Sequence, residues 1–218
     1  MNLGDKLILL IITGLLYTSS FLVKGDGTDL WKQSHNLEYQ GEYAKAAAMI
    51  EPLLNQGKNR EYALLRYAWL AYQQRNYNDS VRYYKQALEI NPASIDARLG
   101  LSLPLLAQSH WKKAETYLRQ ITALSPWNYM AHIRLFVCEE GLRQWQQLAT
   151  HAEAFSRLYP SDTTALVYLA RAKDKLGDKA AANAVYQQIL MRMPEHIEAL
   201  NYIRTFQNSQ TIYHLQNS

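Results

Sequence analysis

The chain has one cysteine, Cys138, in 218 residues. It can form no intramolecular disulfide, and a single thiol is compatible with any redox compartment. No cysteine follows the apolar N-terminal stretch, which excludes lipoprotein-type acylation there. Charge is sparse at 19%, and the net charge of +4 is not gathered into a dense basic block. Nucleic-acid binding is therefore not expected. There is no Gly-rich phosphate loop, no Gly-x-Ser-x-Gly and no His-Glu-x-x-His. No catalytic set, metal site or cofactor site is read from the chain, and it is expected not to be an enzyme. Disorder is excluded by composition, because 48% of the residues are hydrophobic.

What the chain does have is a period. Pro92, Pro126, Pro160 and Pro194 follow one another at a constant step of 34 residues. An aromatic column keeps the step at Tyr43, Tyr77, Trp111 and Trp145, with Lys179 in the last place. A column suited to close helix contact keeps it too: Ala46, Ser80, Ala114, Leu148 and Ala182. Residues 61–94 show the unit most fully. Leu64, Tyr67, Ala68 and Ala71 share one helical face, and Tyr77, Ser80, Tyr84, Ala87 and Leu88 share another. Arg75-Asn76 is a polar break between them. Pro92 ends the unit, because proline lacks the N–H of a continuing helix and disfavours helix at Asn91.

A helix–turn–helix period of this length is the signature of the tetratricopeptide repeat. Leu64, Tyr67-Ala68, Ala71, Ser80, Tyr84, Ala87 and Pro92 resemble that family's pattern. The resemblance implies an all-α fold, a right-handed α-solenoid of five repeats over 27–60, 61–94, 95–128, 129–162 and 163–196. A capping helix over 197–207 and a flexible tail over 208–218 are expected to follow. Turns are expected near Glu42, Asn76, His110, Gln144 and Asp178. Three residues depart from the pattern. Pro52 should shorten or bend the second helix of its unit, and Pro104 should kink a first helix. Phe136, in place of a small residue, should push apart the two helices of the fourth unit.

Residues 1–25 differ from the rest. Lys6 precedes the apolar run Leu7–Leu16, and Phe21-Leu22-Val23 precede Lys24. The run suits a signal peptide, and Thr18 and Ser20 are small enough for a cleavage site. Read through to Val23, the segment reaches the lower edge of a membrane span. Two export expectations stand side by side, and a buried first helix of the array is the remaining reading. Either the protein is membrane-anchored through residues 7–23 and faces the outer side, or it is cleaved and becomes a soluble periplasmic or secreted protein. Both make it exported.

His132 and His151 can approach each other across one hairpin, with Cys138 nearby, but His132 is read as a core substitution and Cys138 as a small buried residue. Glu139-Glu140 are adjacent on a helix and so point in different directions, which suggests a solvated face. The remaining feature is the surface of the first helices, which in this family lines a concave groove. The resemblance places Trp31, Lys32 and His35 there in the first unit, and Leu65, Arg66, Trp69, Tyr72 and Gln73 in the second. Leu99, Leu103 and Leu106 follow in the third, Met130, Ile133, Arg134 and Val137 in the fourth, and Tyr168 and Arg171 in the fifth. The groove should be apolar and aromatic, rimmed by Arg66, Arg134 and Arg171. Some members of the family hold a C-terminal carboxylate with a Lys/Asn/Arg clamp. Those slots here hold Trp31, His35, Trp69 and Arg66, so that specificity does not carry over. The expected function is a non-enzymatic protein–protein interaction scaffold or assembly factor, with another protein's peptide or amphipathic helix in the groove. The alternative is a self-associating structural protein, a homo-oligomer, whose groove takes its own tail or another copy.

Overall fold

A computed structural model of the chain describes residues 27–216 with the exception of Gln56. Among them are eleven α-helices, one short 3-10 helix and no strand. The helices are α1 (Gly27–Tyr39), α2 (Tyr43–Ile50), α3 (Arg60–Gln73), α4 (Tyr77–Ile90), α5 (Ile95–Ala107), α6 (Trp111–Leu124), α7 (Tyr129–Gly141), α8 (Trp145–Leu158), α9 (Thr163–Lys175), α10 (Lys179–Arg192) and α11 (Ile197–Gln216). They make five antiparallel pairs and one further helix. The expected export or anchor segment, 1–25, lies outside the described residues. Among the described residues no helix is long and apolar enough to cross a membrane.

Local chemistry places the helix ends. Asn91, Ser125, Tyr159 and Met193 each precede a proline and leave the helical region, with φ between −138° and −124°. The ring of the following proline clashes with a helical conformation there. Beyond the first three of these prolines, the side chains of Ser94, Asn128 and Asp162 accept from the backbone N–H of Ala97, Ala131 and Thr164 and start the next helix. The first helix of every pair also ends in one way. Gly41, Arg75, Ser109, Arg143 and Gly177 all have positive φ. The residue after each donates back five positions: Glu42 to Leu37, Asn76 to Ala71, His110 to Leu105, Gln144 to Glu139 and Asp178 to Lys173. This closure satisfies carbonyls that a helix end leaves without partners.

Packing holds the pairs together. Ala46, Ser80, Ala114, Leu148 and Ala182 are fully buried where the helices approach. Gly100 lets the Tyr84 ring come closer still, since a Cβ there would sit 2.1 Å from it. Leu64, Leu101, Leu118, Leu135 and Ile189 fill the interior. Each such side chain contributes roughly 1.5–3 kcal/mol by leaving water.

The departures from the pattern have local effects. α2 ends at Ile50 and Pro52 enters the 3-10 helix Glu51–Leu53, so α2 has 8 residues where α4 has 14. α5 runs through Pro104, which is buried inside it. Phe136 is fully buried between α7 and α8, whose backbones approach one another less than those of any other pair.

One expectation is corrected at the C-terminal end. α11 runs to Gln216, so the stretch from 208 to 216 is helical rather than a flexible tail. No glycine or proline interrupts it. Thr205, Ser209 and Thr211 turn their hydroxyls onto the carbonyls of Asn201, Thr205 and Gln207, so their polarity is absorbed within the helix.

Candidate protein-interaction face

The first helices lie side by side: α3 meets α5, α5 meets α7, and α7 meets α9. The expected site residues lie on these first helices. Trp31, Lys32 and His35 come from α1, and Leu65, Arg66, Trp69, Tyr72 and Gln73 from α3. Leu99, Leu103 and Leu106 come from α5, Met130, Ile133, Arg134 and Val137 from α7, and Tyr168 and Arg171 from α9. Lys32 and His35 are exposed, and most of the others are half-buried. The half-burial comes from the repeats themselves. Leu65, Leu99 and Leu106 rest on the core between units, and Tyr168 rests on Phe136 with ring centres 5.4 Å apart.

Aromatic rings cover the first half of this face. Trp31 and Tyr62 have ring centres 4.8 Å apart, and Trp69 stacks on Tyr72 at 5.8 Å. Tyr62 and Met130 present the most exposed apolar side chains here, at 50% and 44%. Tyr62 was not expected from the sequence. Its signal was available, because it stands four residues before Arg66 and so on the same side of α3.

The arginines do not form a free rim. Arg66 is buried. Its Nε donates to Ser34 Oγ at 3.0 Å and its Nη1 to Glu38 Oε2 at 2.8 Å. The expectation that it faces a partner is corrected, since a guanidinium held by a buried hydroxyl and a carboxylate is already neutralised and oriented. Trp69 donates to the other oxygen of Glu38 at 2.6 Å. Arg171 is likewise committed. It donates to both oxygens of Glu198 at 2.8 and 2.6 Å, lies near Glu140 at 3.4 Å, and covers the Tyr168 ring. The bond to Glu198 raises the already high pKa of Arg171 further. Arg134 donates to the Leu99 carbonyl and, at 2.8 Å, to Ser102 Oγ. Burial pulls its pKa down.

A second polar cluster lies between α6, α7 and α8, beside a cleft of about 710 Å³ lined by Arg119, His132, Glu139 and His151. Glu139 is buried, against the expectation of a solvated carboxylate pair. It accepts from Arg119, Gln147 and His151. His151 Nε2 and His132 Nδ1 are 2.8 Å apart, and His132 Nε2 lies 2.8 Å from the Pro126 carbonyl. The chain of hydrogen bonds ends on a backbone carbonyl rather than on a hydroxyl or thiol. The cluster thus links α6, α7 and α8 through side chains. Cys138 is buried, and burial pushes its thiol up to about 12, which keeps it a neutral packing group.

Family models described as tetratricopeptide repeat match residues 32–95, 71–123 and 164–192, together more than half of the chain. A MamA protein from Desulfovibrio magneticus, solved from residue 41 to its end, is 17% identical with a TM-score of 0.71, covering 79% of this chain and 98% of that one. A tetratricopeptide repeat protein from Parabacteroides merdae is 11% identical with a TM-score of 0.75, covering 81% and 70%. A thermophilic protein of the same repeat type from Thermus thermophilus is 16% identical with a TM-score of 0.57, covering 83% and 98%. At these identities the likeness shows the fold, a right-handed α-solenoid, and leaves activity to the residues.

Proposed function

The chain belongs to the tetratricopeptide repeat family, and on that premise we propose that it captures a helical or extended segment of another protein along the face of its first helices. The observation that carries this reading is the row of aromatic and aliphatic side chains on the first helices, with Tyr62 and Met130 standing most open. Contiguous exposed apolar surface marks partner sites. Aromatic and aliphatic anchors supply most of the affinity at such sites, and an amphipathic helix can lay its own apolar residues along them. The role is that of a non-enzymatic scaffold. We further propose that the protein is exported, and either held at a membrane by residues 7–23 or released after cleavage.

The experiment is site-specific photo-crosslinking in the native cell. Probes replace Tyr62 and Met130, with Thr116 on a second helix as the control. Both face positions should crosslink to one segment of one partner. Crosslinks from Thr116 alone would place the partner on another surface.

A second copy of this chain is the rival occupant, and α11 favours it. Leu200 stands in the column of Leu64 and Leu166, which are buried, yet it is 41% exposed. Ile197 beside it is 74% exposed. Among the described residues no helix covers this side of α11. The chain's own tail is a weaker candidate, since residues 208–216 continue α11. Molar mass by light scattering across a concentration series separates a self-associating chain from a monomeric scaffold.

A further inference from the structure

Two arginines on this face occupy the same seat two repeats apart and differ in what neutralises them. Arg66 donates to Ser34 and Arg134 donates to Ser102, each serine buried and 32 residues earlier in the chain. Arg66 then reaches Glu38, 28 residues earlier. The residue in that place relative to Arg134 is Leu106. Among the described residues Arg134 forms no ion pair. Its partners, a backbone carbonyl and a serine hydroxyl, orient the guanidinium but leave its charge uncompensated. A half-buried cation in that condition favours any ligand that brings a carboxylate to it.

We propose that Arg134 is the charge-reading position of the interaction face. The carboxylate that Glu38 supplies to Arg66 from within the chain is supplied to Arg134 by the partner, as an aspartate or glutamate side chain set among apolar residues. The proposal rests on the reading of the face given above and adds the partner's chemistry to it. Apolar residues lie to both sides of Arg134, Leu99 and Leu103 on α5, Val137 on α7 and Tyr168 on α9. A bound segment therefore continues past the charge in both directions, which selects a side-chain carboxylate over a chain terminus. Arg66 and Arg171 add no second acidic preference, because Glu38, Glu198 and Glu140 already answer them.

The test uses the full chain and three fluorescent peptides, each helical and rich in leucine and alanine. One carries a single central glutamate and an amidated end. The second has glutamine in its place. The third has the central glutamine and a free C-terminal carboxylate as its only acid. The wild-type protein should bind the glutamate peptide about tenfold more tightly than either other peptide. Arg134→Gln should erase the difference. Leu106→Glu should erase it as well, by rebuilding the Arg66–Glu38 arrangement, with helix content by circular dichroism unchanged. Equal binding of all three peptides by the wild type overturns the acidic preference and leaves the scaffold reading intact. Absence of binding to any of them overturns both. Preference for the third peptide overturns the side-chain assignment. An acidic preference that survives in both variants overturns the role of Arg134.

Discussion

The indole N–H of Trp69 donates to one oxygen of Glu38 at 2.6 Å while Arg66 donates to the other at 2.8 Å. A tryptophan placed on the interaction face by its spacing is thus also one leg of a tie between the first two repeats.

Trp69→Ala should therefore lower stability by about 2 kcal/mol, through lost packing and a lost charged hydrogen bond. Trp69→Phe should cost less, because the ring remains against Tyr72. Glu38→Ala should be at least as damaging as Trp69→Ala, since it leaves the buried Arg66 without its counter-ion. Urea denaturation midpoints check the order. Melting of Trp69→Ala unchanged from wild type would show that the tie contributes nothing.

The turn between paired helices holds one residue in the left-handed region in every repeat, and in three repeats that residue is not glycine. Arg75, Ser109 and Arg143 have φ of 61°, 57° and 57°. A side chain there costs about 1 kcal/mol, part of which returns as lower entropy of the unfolded chain. Arg75→Gly, Ser109→Gly and Arg143→Gly should each stabilise by about 0.5 kcal/mol, and the three should nearly add, being far apart. Differential scanning calorimetry of the single and triple variants measures this. A triple variant that melts below wild type would contradict it.

Acidification should remove stability in two stages. His132 is held below the ordinary histidine range by burial, with the Pro126 carbonyl opposing and the charge of His151 adding to the depression. Its folded pKa lies below its unfolded value, so the unfolded chain takes the proton first. The contribution is complete above about pH 6.5 and is lost as pH falls through the lowered folded value. The ring is half-buried beside His151 and Phe155, where a charged imidazolium is poorly solvated.

In the second stage the carboxylates lose their contribution. Burial works against ionisation of Glu38 and Glu115. Hydrogen bonds and charges from Trp69 and Arg66 in one, and from Lys112 and Arg119 in the other, outweigh it and hold both below the usual range. Glu198 is held low by Arg171 first, with burial opposing. Stability from these groups is present above about pH 4.3 and disappears as pH falls through their lowered values. Urea midpoints from pH 8 to about pH 3 should fall in both windows. His132→Leu should flatten the upper window alone, and Glu38→Gln should weaken the lower one.

The export proposal makes a separate forecast. Fractionation should recover the protein in the membrane or the exported soluble fraction. An N-terminus beginning near Phe21 would establish cleavage, and an intact Met1 in membranes would establish anchoring. Intact protein found solely in the cytosol would end the export reading.

The helix pairs were legible in the sequence because their ends are set locally. Pro92, Pro126, Pro160 and Pro194 stop a helix whatever lies around them, and Ser94, Asn128 and Asp162 start the next one with their own side chains. The row of side chains on the first helices was legible for a related reason, since helical spacing alone decides which residues share a side of α3 or α7. The length of α11 was not. Its polar stretch reads as coil until the hydroxyls of Thr205, Ser209 and Thr211 are seen to close on the helix itself. Nor was the burial of Glu139, which depends on Arg119 and His151 arriving from two other helices. Composition and period thus determined the repeat, its turns and the row of residues on the first helices. Only the tertiary structure decided which charges on that row are already answered. Arg66 and Arg171 meet carboxylates from neighbouring helices and Arg134 does not, because ion pairing depends on how adjacent repeats stack, and a distance between helices is not a property of either helix alone.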